Sequence, residues 1–277
     1  MKKRLDILLV DKKLVDSRSK AQWLIKNGYV LVENKKISKS GKKIESSLKI
    51  ELVKEYPYVS RGGLKLESAL DQFSISVKEK ICADIGSSKG GFTDCLIKKG
   101  ASRVYSIDIA TNFLHSSLTH QMMKEKIIPL LGIDARHLIP IEEKIDVCTI
   151  DVTFASLRSI LPNIKRILRK QGDIIALVKP IFETEFYDIL KFKIIQNSKQ
   201  LYEIIMNLII WCKDNQFFLY KIFKSPILGK EGSIEFFIHL KLEQSHQELN
   251  YFSMIKTVVS NMVFSNQFIN EDDYFFG

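Results

Sequence analysis

Hydrophobic positions change their spacing near residue 60, and the change divides the chain. Before it, Leu5, Leu8 and Leu9 recur at helical intervals and predict a first short helix. Ala21, Leu24 and Ile25 form the apolar stripe of a second, with Asp16 or Ser17 as its cap and Gly28 as its stop. Arg18, Gln22 and Lys26 recur every four residues and share the opposite face of that helix. Short β-like pieces follow at 29–32 and in the alternating Leu48-Ile50-Leu52, with a polar turn at Asn34-Lys35-Lys36 between them. Residues 1–54 therefore read as a small α+β unit. Residues 55–58 read as a linker, since Pro57 can continue neither element. From residue 59 to 244, buried apolar runs alternate with helical stretches. Strands are predicted at 81–85, 103–107, 127–131, 146–151, 173–178, 217–223 and 233–240, with helices between them. That alternation specifies an α/β domain, a parallel sheet wrapped by helices on both faces. The remainder, 245–277, is an extension with a helix near 252–264 and no identifiable chemistry.

Composition narrows the class. With 277 residues, 45% hydrophobic and 27% charged, the chain is neither disordered throughout nor collagenous nor low-complexity. Its formal charge is +10, and residues 1–60, with 15 basic and 7 acidic side chains, hold eight of those charges. A strongly basic small unit on a near-neutral body points to docking on a polyanion. Arg4, Arg18, Lys20 and Lys26 are its candidate phosphate contacts. The cysteines, Cys82, Cys95, Cys148 and Cys212, are 13, 53 and 64 positions apart, so neither a metal site nor a disulfide framework is expected. The basic start followed by Leu5 to Val10 resembles a signal peptide, but Asp6 interrupts it. No run reaches the ~18–20 apolar residues of a membrane helix. A cytoplasmic protein without membrane contact is expected.

The most informative segment is Asp84-Ile85-Gly86-Ser87-Ser88-Lys89-Gly90-Gly91-Phe92-Thr93, a strand end, a small-residue turn and a helix start. It matches neither the G-x-G-x-x-G of dinucleotide enzymes nor a P-loop. An acid two residues before the first glycine suits a ligand without phosphates, namely S-adenosylmethionine, whose ammonium Asp84 can hold. Asp108, after the second strand of this domain, can accept both ribose hydroxyls, and Asp134, after the third, the adenine amine. Two further strands end in Asp151 and in Lys179-Pro180, a carboxylate and an ammonium at the edge where ligands of open α/β sheets sit. Lys65 and Glu235 complete a Lys-Asp-Lys-Glu set that periodicity alone does not select.

Together these segments resemble the TlyA family of ribosomal RNA 2′-O-methyltransferases, some members of which were first named haemolysins. The resemblance runs from about residue 3 to 242. It is carried by Ser60-Arg61-Gly62-Gly63-Leu64-Lys65-Leu66, the Asp84–Leu96 turn, Asp151-Val152-Thr153-Phe154-Ala155-Ser156-Leu157, Leu177-Val178-Lys179-Pro180 and Glu231-Gly232-Ser233-Ile234-Glu235. It implies an S-four (alpha-L) RNA-binding domain followed by an FtsJ-like, Rossmann-like methyltransferase sheet. It places the catalytic tetrad on Lys65, Asp151, Lys179 and Glu235, and the cofactor on Asp84, Gly86, Ser88, Gly90, Gly91, Phe92, Asp108 and Asp134. It also implies a cytidine in 16S and/or 23S ribosomal RNA as substrate, ribosomal subunits as partners and no metal. Neutral Lys179 is the expected base, with Asp151 and Glu235 orienting the lysines. The chain departs from the family at Ala110-Thr111-Asn112-Phe113, where a glycine-rich turn is usual, and at Ile181, where glutamine is usual. The segment 183–196 lacks the usual glycines, and the tail beyond 242 is extra. Three other classes compete: a non-catalytic RNA-binding or ribosome-assembly factor, a pore-forming haemolysin, and a pseudouridine synthase. Retention of all four tetrad residues, the lack of a membrane segment and the cofactor turn respectively argue against them.

Overall fold

Neighbouring residues of the central strands belong to different cores. Ile174, Ala176 and Val178 lie in one, while Ile175 and Leu177 lie in the other. A strand that is apolar at every position must be covered on both faces, because successive side chains point opposite ways. The computed structural model describes residues 2–137, 141–184, 197–229, 232–245 and 249–260.

The N-terminal unit runs β1 (Lys2–Arg4), α1 (Leu5–Asp11), α2 (Arg18–Lys26), β2 (Val30–Val32), β3 (Lys35–Lys36), β4 (Lys43–Glu45) and β5 (Ile50–Leu52). Its strands make a β3-β2-β5 sheet and a β1-β4 pair. Leu5, Leu8, Leu9, Ala21, Leu24 and Ile25 close its core. Ser17, of the two candidate caps, is the one used, its hydroxyl accepting from the Lys20 amide at 3.4 Å. The adjoining segment is well tied. Tyr56 packs on Trp23 with ring centres 5.1 Å apart, and the Val59 amide donates to Asp94 at 2.8 Å.

The larger unit contains α3 (Arg61–Phe73), β6 (Ile81–Ile85), α4 (Gly91–Lys98), β7 (Arg103–Asp108), β8 (Ile127–Leu131), β9 (Ile145–Ile150), α5 (Leu157–Ile167), β10 (Leu168–Val178), α6 (Ser198–Asp214), β11 (Phe218–Lys224), β12 (Phe236–Lys241) and α7 (Tyr251–Ser260). Its seven strands are ordered β11-β12-β10-β9-β6-β7-β8. Residues of α3 and α4 cover one face, and those of α5, α6 and α7 the other. The chain steps outward from β6 to β8 and returns with β9 on the far side of β6. This reversal opens a crevice at the carboxyl ends of β6 and β9.

Two expectations need correction. The sheet is not wholly parallel, because β12 runs antiparallel to both β10 and β11. The connection from β11 to β12, residues 225–235, carries no α-helix among the described residues, whereas a parallel crossover usually runs through one. Nor is every connection an α-helix. Among the described residues, β7 and β8 are joined by single 3₁₀ turns at Ser116–Leu118 and Gln121–Met123. Ser, Thr, Asn and His crowd that stretch and compete for backbone hydrogen bonds. The C-terminal helix is α7, and the part of its expected span beyond residue 260 lies outside the described residues.

Candidate active site

Strand register aligns the candidate side chains along one edge of the sheet. Phe236 pairs with Val178, Ala176 with Ile150, Ile150 with Ile85 and Ile85 with Ile107. Glu235 therefore precedes β12 where Lys179 follows β10, Asp151 follows β9, Gly86 follows β6 and Asp108 ends β7. Asp134 lies three residues past the end of β8.

Two ion pairs organise the tetrad positions. Lys179 Nζ is 2.6 Å from Asp151 Oδ1 and donates to the Val152 carbonyl at 2.8 Å and to Thr153 Oγ1 at 3.0 Å. Three acceptors around one amine match the three N–H bonds of an ammonium. Lys65, reaching from α3, pairs with Glu235, both buried. A charge in this setting persists only with such a partner.

Gly86 binds the two halves of the crevice. Its φ is +80°, and a Cβ there would lie 2.5 Å from the Asp151 carbonyl oxygen. Glycine is required on both counts. Asp84 is fully buried: Oδ2 accepts from the Thr93 amide at 2.9 Å and hydroxyl at 2.7 Å, and Oδ1 from the Thr149 hydroxyl at 3.2 Å. Burial pushes its carboxyl up to about 7 against the pull of the Thr93 hydroxyl, and the charge of Asp151 adds to the rise. Asp84 thus underlies the turn and holds the start of α4. Asp108 accepts from the Ser88 amide at 2.7 Å and the Ala110 amide at 2.8 Å, leaving further lone pairs on both oxygens. Asp134 is gripped by Arg136, whose Nε and Nη2 reach its Oδ2 at 3.0 and 2.7 Å, so an adenine amine would share that carboxylate. Gly90, with φ +86°, caps α4, Gly91 begins it, and the ring of Phe92 is buried beside Phe237.

The turn suits a ligand with a carboxylate and a diol. Ser87 Oγ is buried in it without a partner among the described residues. A buried hydroxyl of this kind is rare unless something else completes it. The amino end of α4 favours a carboxylate, and Asp108 a diol. S-adenosylmethionine carries both groups.

In the N-terminal unit the candidate phosphate contacts are partly engaged. Asp6, wholly buried, accepts from Arg4 Nε at 3.0 Å, Arg18 Nη2 at 3.2 Å and Gln22 Nε2 at 2.9 Å. The Arg4 guanidinium holds its carboxyl well below the usual range. Both arginines remain about half exposed, at 42% and 56%. Lys20 pairs with Asp16 at 2.9 Å and lies over the Tyr56 ring, whereas Lys26 is exposed. Sequence reasoning missed Asp6 as the organiser of this face. It also missed Thr93 and Thr149 as the cradle of Asp84, and Glu183 beneath the 151–158 segment. Apart from Arg4, two residues from Asp6, each partner lies nine or more residues away along the chain, and only the acidic character of Asp6 inside an apolar stripe offered a signal.

A seven-stranded sheet with one antiparallel strand, a switch-point crevice and a glycine turn defines a methyltransferase-type α/β protein. Residues 58–242 match the model of the FtsJ-like methyltransferase family, and residues 3–50 that of the S4 domain. The chain belongs to the FtsJ-like methyltransferase family, in the TlyA group that carries an S4 domain ahead of it. It is 38% identical to Hemolysin A of Brachyspira hyodysenteriae over 236 residues, covering 85% of this chain and 98% of the relative. It is 35% identical to the 23S rRNA (cytidine-2′-O)-methyltransferase TlyA of Campylobacter jejuni, covering 83% and 96%. A solved structure of a hemolysin-named chain from Streptococcus thermophilus superposes with a TM-score of 0.69 at 33% identity, over 94% of each chain. Among the described residues no helix is long and apolar enough to cross a membrane. The four cysteines are buried and unpaired.

Proposed function

We propose that this protein is an S-adenosylmethionine-dependent 2′-O-methyltransferase acting on a cytidine ribose of 23S and/or 16S ribosomal RNA. The carrying observation is the row of Glu235, Lys179 and Asp151 beside the Gly86 turn, with Lys65 paired to Glu235. The Campylobacter relative is named for this chemistry on 23S RNA.

When bound, S-adenosylmethionine supplies a methyl group on a sulfonium, already a reactive donor. The protein must position a ribose hydroxyl and remove its proton. Lys179 is the base in this reading. Its ammonium first releases one proton to solvent; the neutral amine then exchanges one of its three partners for the incoming hydroxyl and takes that hydroxyl's proton. Asp151 aims the amine and offsets the charge that results. Lys65 and Glu235 hold the adjoining wall, and the sheet edge sets the approach of the oxygen. The N-terminal unit grips folded RNA by its phosphates and presents one exposed nucleotide.

The test incubates the protein with isotopically methyl-labelled S-adenosylmethionine and ribosomal subunits from cells lacking its gene, then maps 2′-O-methyls in each RNA. A new cytidine 2′-O-methyl that Lys179→Ala abolishes is the expected result. Tight cofactor and RNA binding without any transfer would instead make the protein an assembly factor.

A further inference from the structure

Lys179 lies on the same short segment as Glu183, and both reach across to the segment after β9. Lys179 holds its first part, Asp151 to Thr153. Glu183 holds its last part: Oε1 accepts from the Leu157 amide at 2.7 Å, and Oε2 from the Ser156 hydroxyl at 2.6 Å and Arg158 Nη1 at 3.1 Å. Arg158 Nη1 also donates to the Glu183 carbonyl at 3.1 Å. Between the two grips, the rings of Phe154 and Phe182 meet with centres 5.5 Å apart. Phe154 has φ +64°, a left-handed conformation that a side-chain-bearing residue keeps only when its surroundings over-determine it.

We propose that Glu183 is a positioning residue for the methyl-transfer centre: it clamps the amino end of α5 so that Lys179 and the 151–154 turn keep one fixed register. The proposal rests on the reading of Lys179 as base. Three features distinguish the clamp from ordinary packing. Glu183 is a carboxylate 5% exposed, and it is satisfied almost entirely by one helix start. Burial pushes its carboxyl up, while the Leu157 amide, the Ser156 hydroxyl and Arg158 pull it back, so the group keeps its place through these three partners. Finally, only the single 3₁₀ turn Pro180–Phe182 separates it from Lys179, with the Phe182 amide on the Lys179 carbonyl at 2.8 Å and the Glu183 amide on the Pro180 carbonyl at 3.0 Å. A shift of the carboxylate therefore reaches the lysine through a connection with little slack.

The variant Glu183→Gln keeps the shape but turns an amide N–H₂ toward the Arg158 guanidinium, which only donates, and removes the charge that pairs with it. Two measurements on the full chain test it. In single-turnover methyl transfer at saturating cofactor and ribosomal subunits, the rate should fall about 10- to 100-fold, as expected for sub-ångström misplacement of a base. The KM for RNA and the calorimetric affinity for S-adenosylmethionine should stay within about three-fold. Independently of turnover, limiting acetic anhydride should acylate Lys179 several-fold faster in the variant, as read by mass spectrometry, because its grip on the turn is loosened. Arg158→Met removes one arm of the clamp and should shift both readings in the same direction by less; it replaces Glu183→Gln should that variant not fold. Unchanged transfer and unchanged Lys179 acylation in a folded variant would overturn the proposal. So would losses of rate and cofactor affinity in equal measure. If the wild-type protein transfers no methyl to RNA, the functional reading fails, and the acylation experiment alone still decides whether Glu183 places Lys179.

Discussion

Replacing Gly86 by alanine strikes the point where the proposed cofactor turn and the segment carrying Asp151 meet. At φ +80° an alanine incurs about 1–2 kcal/mol of left-handed strain. Its Cβ would lie 2.5 Å from the Asp151 carbonyl oxygen and 2.9 Å from the carbonyl carbon, both backbone atoms, so no side-chain rotation relieves the contact. Restoring ordinary contact at 3.4 Å requires a displacement of about 0.9 Å, and overpacking of this kind costs typically about 1–3 kcal/mol. The sum, about 2–5 kcal/mol, corresponds to a fall in melting temperature of roughly 5–15 °C for a domain of this size. The displacement also has a direction. Asp151 is tied to β6 through its amide on the Ile85 carbonyl at 2.9 Å, so the strain loads the residue that aims Lys179. Methyl transfer should fall by about 100-fold or more even in protein held well below its melting temperature. Chemical denaturation and single-turnover transfer at low temperature measure the two effects separately. A Gly86→Ala protein with wild-type stability and turnover would refute the close approach of turn and strand. Lost stability with intact turnover would refute the transmission to Asp151.

Three further outcomes are expected. Lys179→Ala should lower methyl transfer by roughly 10²–10⁴, with cofactor and RNA affinities within a few-fold, and Lys179→Arg should not restore it, because a guanidinium stays protonated; near-normal turnover by the arginine variant would send the search for the base elsewhere. Removing residues 1–58 should weaken RNA binding far more than cofactor binding and flatten its dependence on salt, since eight of the ten excess charges lie in residues 1–60; an unchanged salt slope in filter binding would sink the docking role. Asp84, with its carboxyl raised to about 7 by burial, stabilises the ligand-free fold below its unfolded value near 3.9 and loses that contribution as the pH climbs to about 7. Asp84→Asn should accordingly gain stability relative to wild type between pH 5 and pH 8, and a difference that stays constant across that range would contradict the assignment.

What could be read along the chain, and what could not, follows from the range of the interactions. The strands of the sheet were legible because full burial forces continuous apolar runs; Asp108, Asp151 and Lys179 were legible because each ends such a run, and Asp84 because a glycine turn begins two residues after it. Their companions were not. Lys65 and Glu235 are 170 positions apart, and neither sits where a period marks it; only the resemblance of their surrounding segments selected them. Glu183 lies 27 residues from Ser156, in a stretch remarkable in sequence only for lacking glycines. The antiparallel β11-β12 pair was hidden because a strand's direction leaves no trace in its hydrophobic pattern.

The N-terminal unit shows the same limit in its charges. Counting lysines and arginines pointed to a polyanion-binding face, but a count treats each cation as free. Arg4 and Arg18 instead share the buried carboxylate of Asp6, with Gln22 as a third donor. A partner of that kind lowers the charge presented to RNA, yet it fixes two flexible side chains before any RNA arrives, which removes part of the entropy otherwise lost on binding. Affinity at this face therefore depends on the placement of the arginines as well as on net charge. Asp6→Asn would add a positive charge to the unit and, on this argument, still weaken its grip on RNA.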